Sequence, residues 1–144
     1  MTSDIDLARL VRFYEALEPA TLQAGLRAIY APKAYFKDPF NEVRGIDAIE
    51  RIFVHMYQQV DQPRFVITTR AINGRDAFLT WDFIFRMKRF TDAPQCIRGA
   101  THLRFNAEGQ VEMHRDYWDA AEELYEKLPL LGALMRWLKR KAGN

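Results

Sequence analysis

Apolar residues recur every three or four positions through most of the first half of this chain, and every second position through much of the second half. The first half therefore reads as helices. Ser3 or Asp4 can cap a helix in which Leu7, Leu10, Val11, Tyr14 and Leu17 share one face. Pro19 closes it and opens a shorter helix through Leu22, Leu26 and Ile29, which Pro32 ends. Ala34 to Lys37 read as a short extended piece leading into the turn signal Asp38-Pro39. After Gly45 a third helix carries Ile46, Ile49, Ile52, Phe53, Met56, Tyr57 and Val60 as a broad stripe, and Pro63 marks its end.

The second half reads as strands. Arg64 to Ile72 is rich in β-branched residues, and Asn73-Gly74 supplies a tight hairpin turn. Residues 77–90 put Ala77, Leu79, Trp81, Phe83, Phe85 and Met87 on one face and Thr80, Asp82, Arg86 and Lys88 on the other. Residues 95–106 and 110–118 form another pair, joined by Asn106-Ala107-Glu108-Gly109. On the last strand His114, Asp116 and Trp118 share a face, and Val111, Met113, Arg115 and Tyr117 take the other. Asp119 can cap a helix from Ala120 to Leu128, and Pro129 opens a final one. Helices followed by antiparallel strands specify the α+β class, with the helices on the concave side of a curved sheet.

Composition narrows this further. The chain has 144 residues, enough for one domain with a real core, and 13% aromatic content excludes disorder. A single cysteine, Cys96, excludes a disulfide framework and reads as a buried or edge residue. No stretch approaches the roughly 18 apolar residues of a membrane span, and the polar, acidic start does not read as a signal peptide. A cytoplasmic enzyme or binding domain is expected. The net charge of +2 is a cancellation: Lys127, Arg136, Lys139, Arg140 and Lys141 face no acid within residues 127–144, while the rest of the chain is mildly acidic.

Several motifs then stand in a recognisable order: Phe36-Lys37-Asp38-Pro39-Phe40, Arg44-Gly45-Ile46-Asp47-Ala48-Ile49, Trp81-Asp82-Phe83, the stretch from Thr101 to Gly109, and Arg115-Asp116-Tyr117-Trp118-Asp119. Over about residues 5–120 the chain resembles the nuclear transport factor 2-like superfamily, which includes ketosteroid isomerases and SnoaL-like polyketide cyclases. The resemblance implies a cone-shaped α+β fold with a ligand cavity, here a domain at residues 1–128; the helical extension at 129–144 departs from the family pattern. It also implies a homodimer through the outer sheet face, where Val111, Met113 and Tyr117 sit among charged residues. Asp38 falls where ketosteroid isomerases keep their general base. Their oxyanion-hole tyrosine falls at Phe13, with Tyr14 pointing elsewhere on the helix, and their second acid falls at Thr101. Phenylalanine donates no hydrogen bond and threonine is a weaker donor than a carboxylic acid, which argues against steroid isomerisation.

Three residues are the catalytic candidates. Asp38 at the mouth of an apolar cone would be a better base through desolvation; the structural alternative is that Asp-Pro builds a turn and caps its backbone. Strand alternation pairs His114 with Asp116, and an aspartate can orient a histidine for acid–base work. Against that stands a buried ion pair, or Asp116 paired with Arg98 or Arg115. The ligand-binding candidates are Trp81, Phe83, Phe85, Leu103 and Trp118 as apolar walls, Thr101 as a polar group, and Tyr35 as a hydroxyl, with Tyr57 beside it. His55 and His102 read as structural or exposed. No metal is expected, because the histidines and acids lack ligand spacing, and no cofactor is required.

The last helix places Leu130, Leu131, Leu134, Met135, Trp137 and Leu138 over roughly 160° of its circumference, opposite Arg136, Lys139 and Arg140. It is suited to docking on this subunit or a partner, or to peripheral contact with an anionic membrane surface. Nucleic acid is not an expected partner, given the acidic body. Two functions stay open. One is a SnoaL-like enzyme performing acid–base chemistry on a small hydrophobic carbonyl compound. The other is a non-catalytic binding or accessory protein whose helix contacts membrane or a partner.

Overall fold

The computed structural model describes residues 4–88, 93–123 and 137–143. Its elements run α1 (Asp4–Glu15), a single 3-10 turn (Pro19–Thr21), α2 (Leu22–Ile29), β1 (Tyr30–Lys37), β2 (Glu42–Arg44), α3 (Ile46–Gln59), β3 (Val60–Asn73), β4 (Asp76–Met87), β5 (Pro94–Phe105), β6 (Val111–Tyr117) and α4 (Ala120–Glu123). Six strands form one curved sheet in the order β2-β1-β6-β5-β4-β3, packed against the helices. The expected α+β cone is the observed architecture.

Bulges bend the sheet. On β3, Ile67 pairs with Trp81 and Thr69 with Thr80, so Thr68 is an extra residue. On β6, Phe105 pairs with Val111 and Arg104 with Met113, so Glu112 is extra. Each extra residue sharpens local twist and bends its strand around the helices. The Ile67 amide at the first bulge donates to Glu15 Oε2 at 3.2 Å, which ties α1 across β3.

The core lies between the concave face and the helices. Leu7, Leu10 and Tyr14 of α1, Leu26 and Ile29 of α2, and Ile49 and Phe53 of α3 meet Ala77, Leu79, Trp81, Leu103, Phe105 and Val111 of the sheet. Except for Val111, these positions are the ones the three- and two-residue periodicities pick out. Arg27 of α2 clamps α3 from outside through Asp47 at 2.8 Å and Glu50 at 2.5 Å.

Five local expectations change. Pro32 does not end α2. The helix stops at Ile29, because a residue shortly before proline avoids helical geometry, and Pro32 sits inside β1 where the ladder to β6 is irregular. That strand pairs parallel with β6 and antiparallel with β2, so the sheet is mixed. Likewise α3 ends at Gln59, and Val60 opens β3, which passes through Pro63 at a register shift where Gln62 has φ 51°. The hairpin loop is Gly74-Arg75 rather than Asn73-Gly74, since Asn73 pairs with Asp76. Glycine at its first position supplies the required positive φ of 65°. Finally, the β6 bulge reverses the facing of Val111: it is fully buried beside Phe105, not on the outer surface with Tyr117.

Asp119 caps α4 as expected, its Oδ1 accepting from the Glu122 amide at 3.1 Å. The predicted continuation to Leu128, and residues 129–136 of the last helix, lie outside the described residues. Residues 137–142 are helical, with Trp137 and Leu138 exposed and the Lys141 ammonium 5.8 Å from the Trp137 ring centre. No helix among the described residues is long and apolar enough to cross a membrane.

Candidate functional site

Three helices leave part of the concave sheet uncovered, and a cavity of about 460 Å³ remains there. That is the size range of small-molecule sites. Its walls are mainly apolar and aromatic: Phe36, Phe53, Phe65, Trp81, Phe83 and Trp118 all contribute. Phe65 stacks on Phe83 with ring centres 4.5 Å apart and meets Trp81 edge-on at 5.6 Å, so this wall is rigid.

One polar chain crosses the bottom. Trp81 Nε1 donates to Thr101 Oγ1 at 2.8 Å, and Thr101 donates to Asp116 Oδ1 at 2.6 Å. The same oxygen meets His114 Nε2 at 2.7 Å. On the other side of the imidazole, Nδ1 lies 2.7 Å from the Tyr30 hydroxyl, which is itself hydrogen-bonded to the Tyr14 hydroxyl. The acceptor-only Asp116 carboxylate fixes the directions. Nε2 carries a proton toward it, and in the tautomer with Nδ1 bare the Tyr30 hydroxyl donates to Nδ1 and Tyr14 donates to Tyr30. Burial, reinforced by Tyr30 and by the charge of Asp116, raises the Tyr14 pKa well above that of an ordinary phenol. Burial raises that of Tyr30 too, so both hydroxyls stay protonated. Asp116 Oδ2 takes no hydrogen bond from the described residues, and Asp116 lines the cavity.

The three catalytic candidates, Asp38, His114 and Asp116, all line this one cavity. His114 is 3% exposed at the bottom. Asp38 is at the lip and is occupied with its own loop. Its Oδ1 accepts from the Phe40 amide at 2.8 Å, the Asn41 amide at 2.7 Å and Asn41 Nδ2 at 3.0 Å. The turn-and-cap arrangement is therefore present, and it holds Phe40 edge-on to Trp118 at the mouth. Arg98 does not pair with Asp116; it binds Glu122 and Glu123.

Among the expected ligand contacts, Trp81, Phe83, Thr101, Leu103 and Trp118 line the cavity. Phe85 does not: it is buried in the core, stacked on Phe83. Tyr35 does not either, because β1 turns it toward β2, under the Arg44 guanidinium at 5.6 Å. Tyr57 lies off the cavity, its hydroxyl buried without a partner among the described residues. His102 is on the outer face, stacked on Phe78 and bonded to Asp76. His55 is exposed yet lines the rim together with Arg51.

The largest correction concerns α1. Tyr14, not Phe13, faces the cavity, while Phe13 packs over Gly25, where an added Cβ would lie 2.4 Å from its ring. A phenolic hydroxyl thus lies beside the cavity after all, hydrogen-bonded to that of Tyr30. Tyr14 belongs to the apolar stripe of its helix, and a buried tyrosine needs a partner for its hydroxyl; that was the available signal. Tyr30 carried the same signal at the α2–β1 junction.

A family model for the SnoaL-like domain matches residues 10–114. The chain belongs to the SnoaL-like domain family. A search of curated proteins found no match. Among solved structures, TsrD from Streptomyces laurentii shares 15% identity at a TM-score of 0.75, covering 92% of this chain and 99% of that one. A protein of ketosteroid isomerase-like fold from Catenulispora acidiphila DSM 44928, solved with trimethylamine, shares 16% identity at a TM-score of 0.73, covering 90% and 96%. An NTF2-like protein from Burkholderia pseudomallei K96243 shares 16% identity at a TM-score of 0.72, covering 83% and 95%. At such identities these neighbours are evidence of a common fold. The SnoaL-like match ends at His114, two residues short of Asp116. Among the described residues no group of three histidines, cysteines or acids could hold a metal ion.

Proposed function

We propose that this SnoaL-like protein binds a small hydrophobic carbonyl compound in its cone and moves a proton next to the carbonyl without a cofactor. Asp116 is the base. Its free Oδ2 takes the α-proton, the C–H pair becomes the new C=C bond, and the carbonyl oxygen gains the negative charge. Tyr14 stabilises that charge by turning its single proton from Tyr30 to the oxygen, and His114 and Thr101 hold Asp116 through Oδ1. Returning the proton to a second carbon completes an isomerisation. The reading rests on one observation above all: a carboxylate at an apolar cavity with one oxygen anchored and the other open. Asp38 moves from base to keystone of the lip.

A second reading, ligand binding without chemistry, has its own support. Every other polar group of the chain from Trp81 to Tyr14 already has a partner inside the protein, so none needs a substrate. The test is α-hydrogen exchange of 1-tetralone in deuterated buffer, followed by proton NMR. Acceleration by the wild-type protein that falls at least about a hundredfold in Asp116→Asn supports proton transfer. Binding of 1-tetralone with no acceleration supports the second reading.

A further inference from the structure

We infer that the ligand of this cavity is an elongated apolar acid whose anionic end sits at the rim against Arg51. This rests on the ligand-binding role just proposed and adds a substrate class to it.

Arg51 is the one arginine or lysine among the described residues that line the cavity. It lies on α3 with Ala48, Ile52, His55 and Met56, which also line it. That spacing places one face of α3 along the rim. Arg51 is exposed, and no ion pair with it is found among the described residues. The acids of its own helix are engaged elsewhere, since Asp47 and Glu50 both bind Arg27 on the outside. Across the mouth, Asp38 is turned into its own loop by the Phe40 and Asn41 amides. The rim thus presents the Arg51 cation on its α3 side, with the imidazole of His55 one turn away as a further donor, while the Asp38 carboxylate keeps its charge but has its oxygens taken by Phe40 and Asn41.

The interior sets the direction of the ligand. Asp116 would repel an anion near the bottom of the cavity, so an acid enters with its apolar end first. Attraction at the rim and repulsion below act together to select orientation. The line His114, Asp116, Trp118 along β6 spans about 13 Å from floor to lip. That length suits a ring or short chain carrying a terminal carboxylate.

A partly exposed ion pair of this kind gives a preference of roughly fivefold over a neutral analogue. The experiment is isothermal titration calorimetry of the full chain with three matched probes: 4-phenylbutyrate, its methyl ester and 4-phenylbutylamine. Wild type should prefer the acid over the ester by that factor at low salt, with the preference shrinking in 0.5 M salt, about. Arg51→Gln should level acid and ester, and Arg51→Lys should keep part of the difference. Equal binding of acid and ester by wild type overturns the inference and leaves the ligand cavity standing. Tightest binding of the amine also overturns it, and assigns the cavity's charge preference to Asp116. If none of the three probes binds, both the inference and the ligand-binding reading fall. The salt dependence is read on wild type alone, so it decides the matter even if the Arg51 variants fold poorly.

Discussion

His114 Nδ1 receives the Tyr30 hydroxyl at 2.7 Å, across a gap of 84 residues, at a position 3% exposed for the histidine and 1% for the tyrosine. This bond joins the α2–β1 junction to the floor of the cavity and fixes the imidazole tautomer. Tyr30→Phe removes its donor while keeping the ring. The remaining hydroxyl, Tyr14, stands 3.5 Å from Nδ1, too far to replace it well. A buried acceptor left unpaired costs about 1–3 kcal/mol. Tyr14→Phe costs less, because Tyr30 then loses a bond it accepts but keeps the one it donates. Urea unfolding of the two variants checks the order, and an equal or larger loss for Tyr14→Phe would contradict the assigned directions.

Asp38 gives a second prediction. Three donors converge on its Oδ1, all from Phe40 and Asn41. Asp38→Ala strips them of their acceptor and should lower stability by about 1–2 kcal/mol, as loss of a helix cap does. That corresponds to a melting temperature lower by about 3–8 °C. Phe40 loses its hold against Trp118, so ligand affinity should fall as well. Asp38→Asn keeps an oxygen acceptor and should retain most of the stability. A stable Asp38→Asn protein that has lost all 1-tetralone exchange would instead restore Asp38 as the base.

The fold was readable because the core positions are periodic: Leu7, Leu10 and Tyr14 at helical spacing, Ala77, Leu79 and Trp81 at strand spacing. The two-residue rule also placed His114, Asp116 and Trp118 together, on the same side of the last strand. The same rule failed at Val111, because a bulge inserts a residue that no local pattern announces. Tyr35 and Phe85 were missed for another reason. Alternation tells which face a side chain takes, but not whether that face there borders the cavity, solid core or a neighbouring strand. Phe13 and Tyr14 are adjacent, and a single residue of alignment shift decides which of them faces inward. The contact of Phe13 with Gly25 and the place of Tyr14 in the cavity wall resolve it.

Gly99 on β5 offers a steric test of the cavity wall. A Cβ there would lie 2.4 Å from the Trp81 ring, whose Nε1 starts the polar chain through Thr101. Gly99→Ala must push the indole toward the cavity or the backbone away from it. Overpacking of this kind costs about 1–3 kcal/mol. The expected result is a less stable protein with altered tryptophan emission and weaker ligand binding. Gly74→Ala is the contrast: nothing lies near its Cβ, so its cost comes from the positive φ alone and should leave binding unchanged. Identical binding in Gly99→Ala and wild type would show that the Trp81 wall yields without consequence.

The buried tyrosines predict how stability responds to alkali. Burial raises the pKa of Tyr14 and of Tyr30, and burial with the charge of Glu18 pushes Tyr57 up to about 12. In the unfolded chain each phenol titrates near 10. Between that value and the folded one, the folded protein holds more protons than the unfolded chain. Stability is therefore fully present below pH 10, about, and is lost as pH rises from there toward the folded values. Each such tyrosine adds a slope of about 1.4 kcal/mol per pH unit within its window. Urea melts at rising pH, read with phenolate absorbance, should show the Tyr14 and Tyr30 hydroxyls ionising only as the protein unfolds, while Tyr57 can ionise in the folded protein at about 12. In Tyr30→Phe the melts should start from lower stability and fall less steeply above pH 10, about, because one linked proton is gone. A Tyr30→Phe profile as steep as wild type would mean that Tyr30 is not held protonated by the fold.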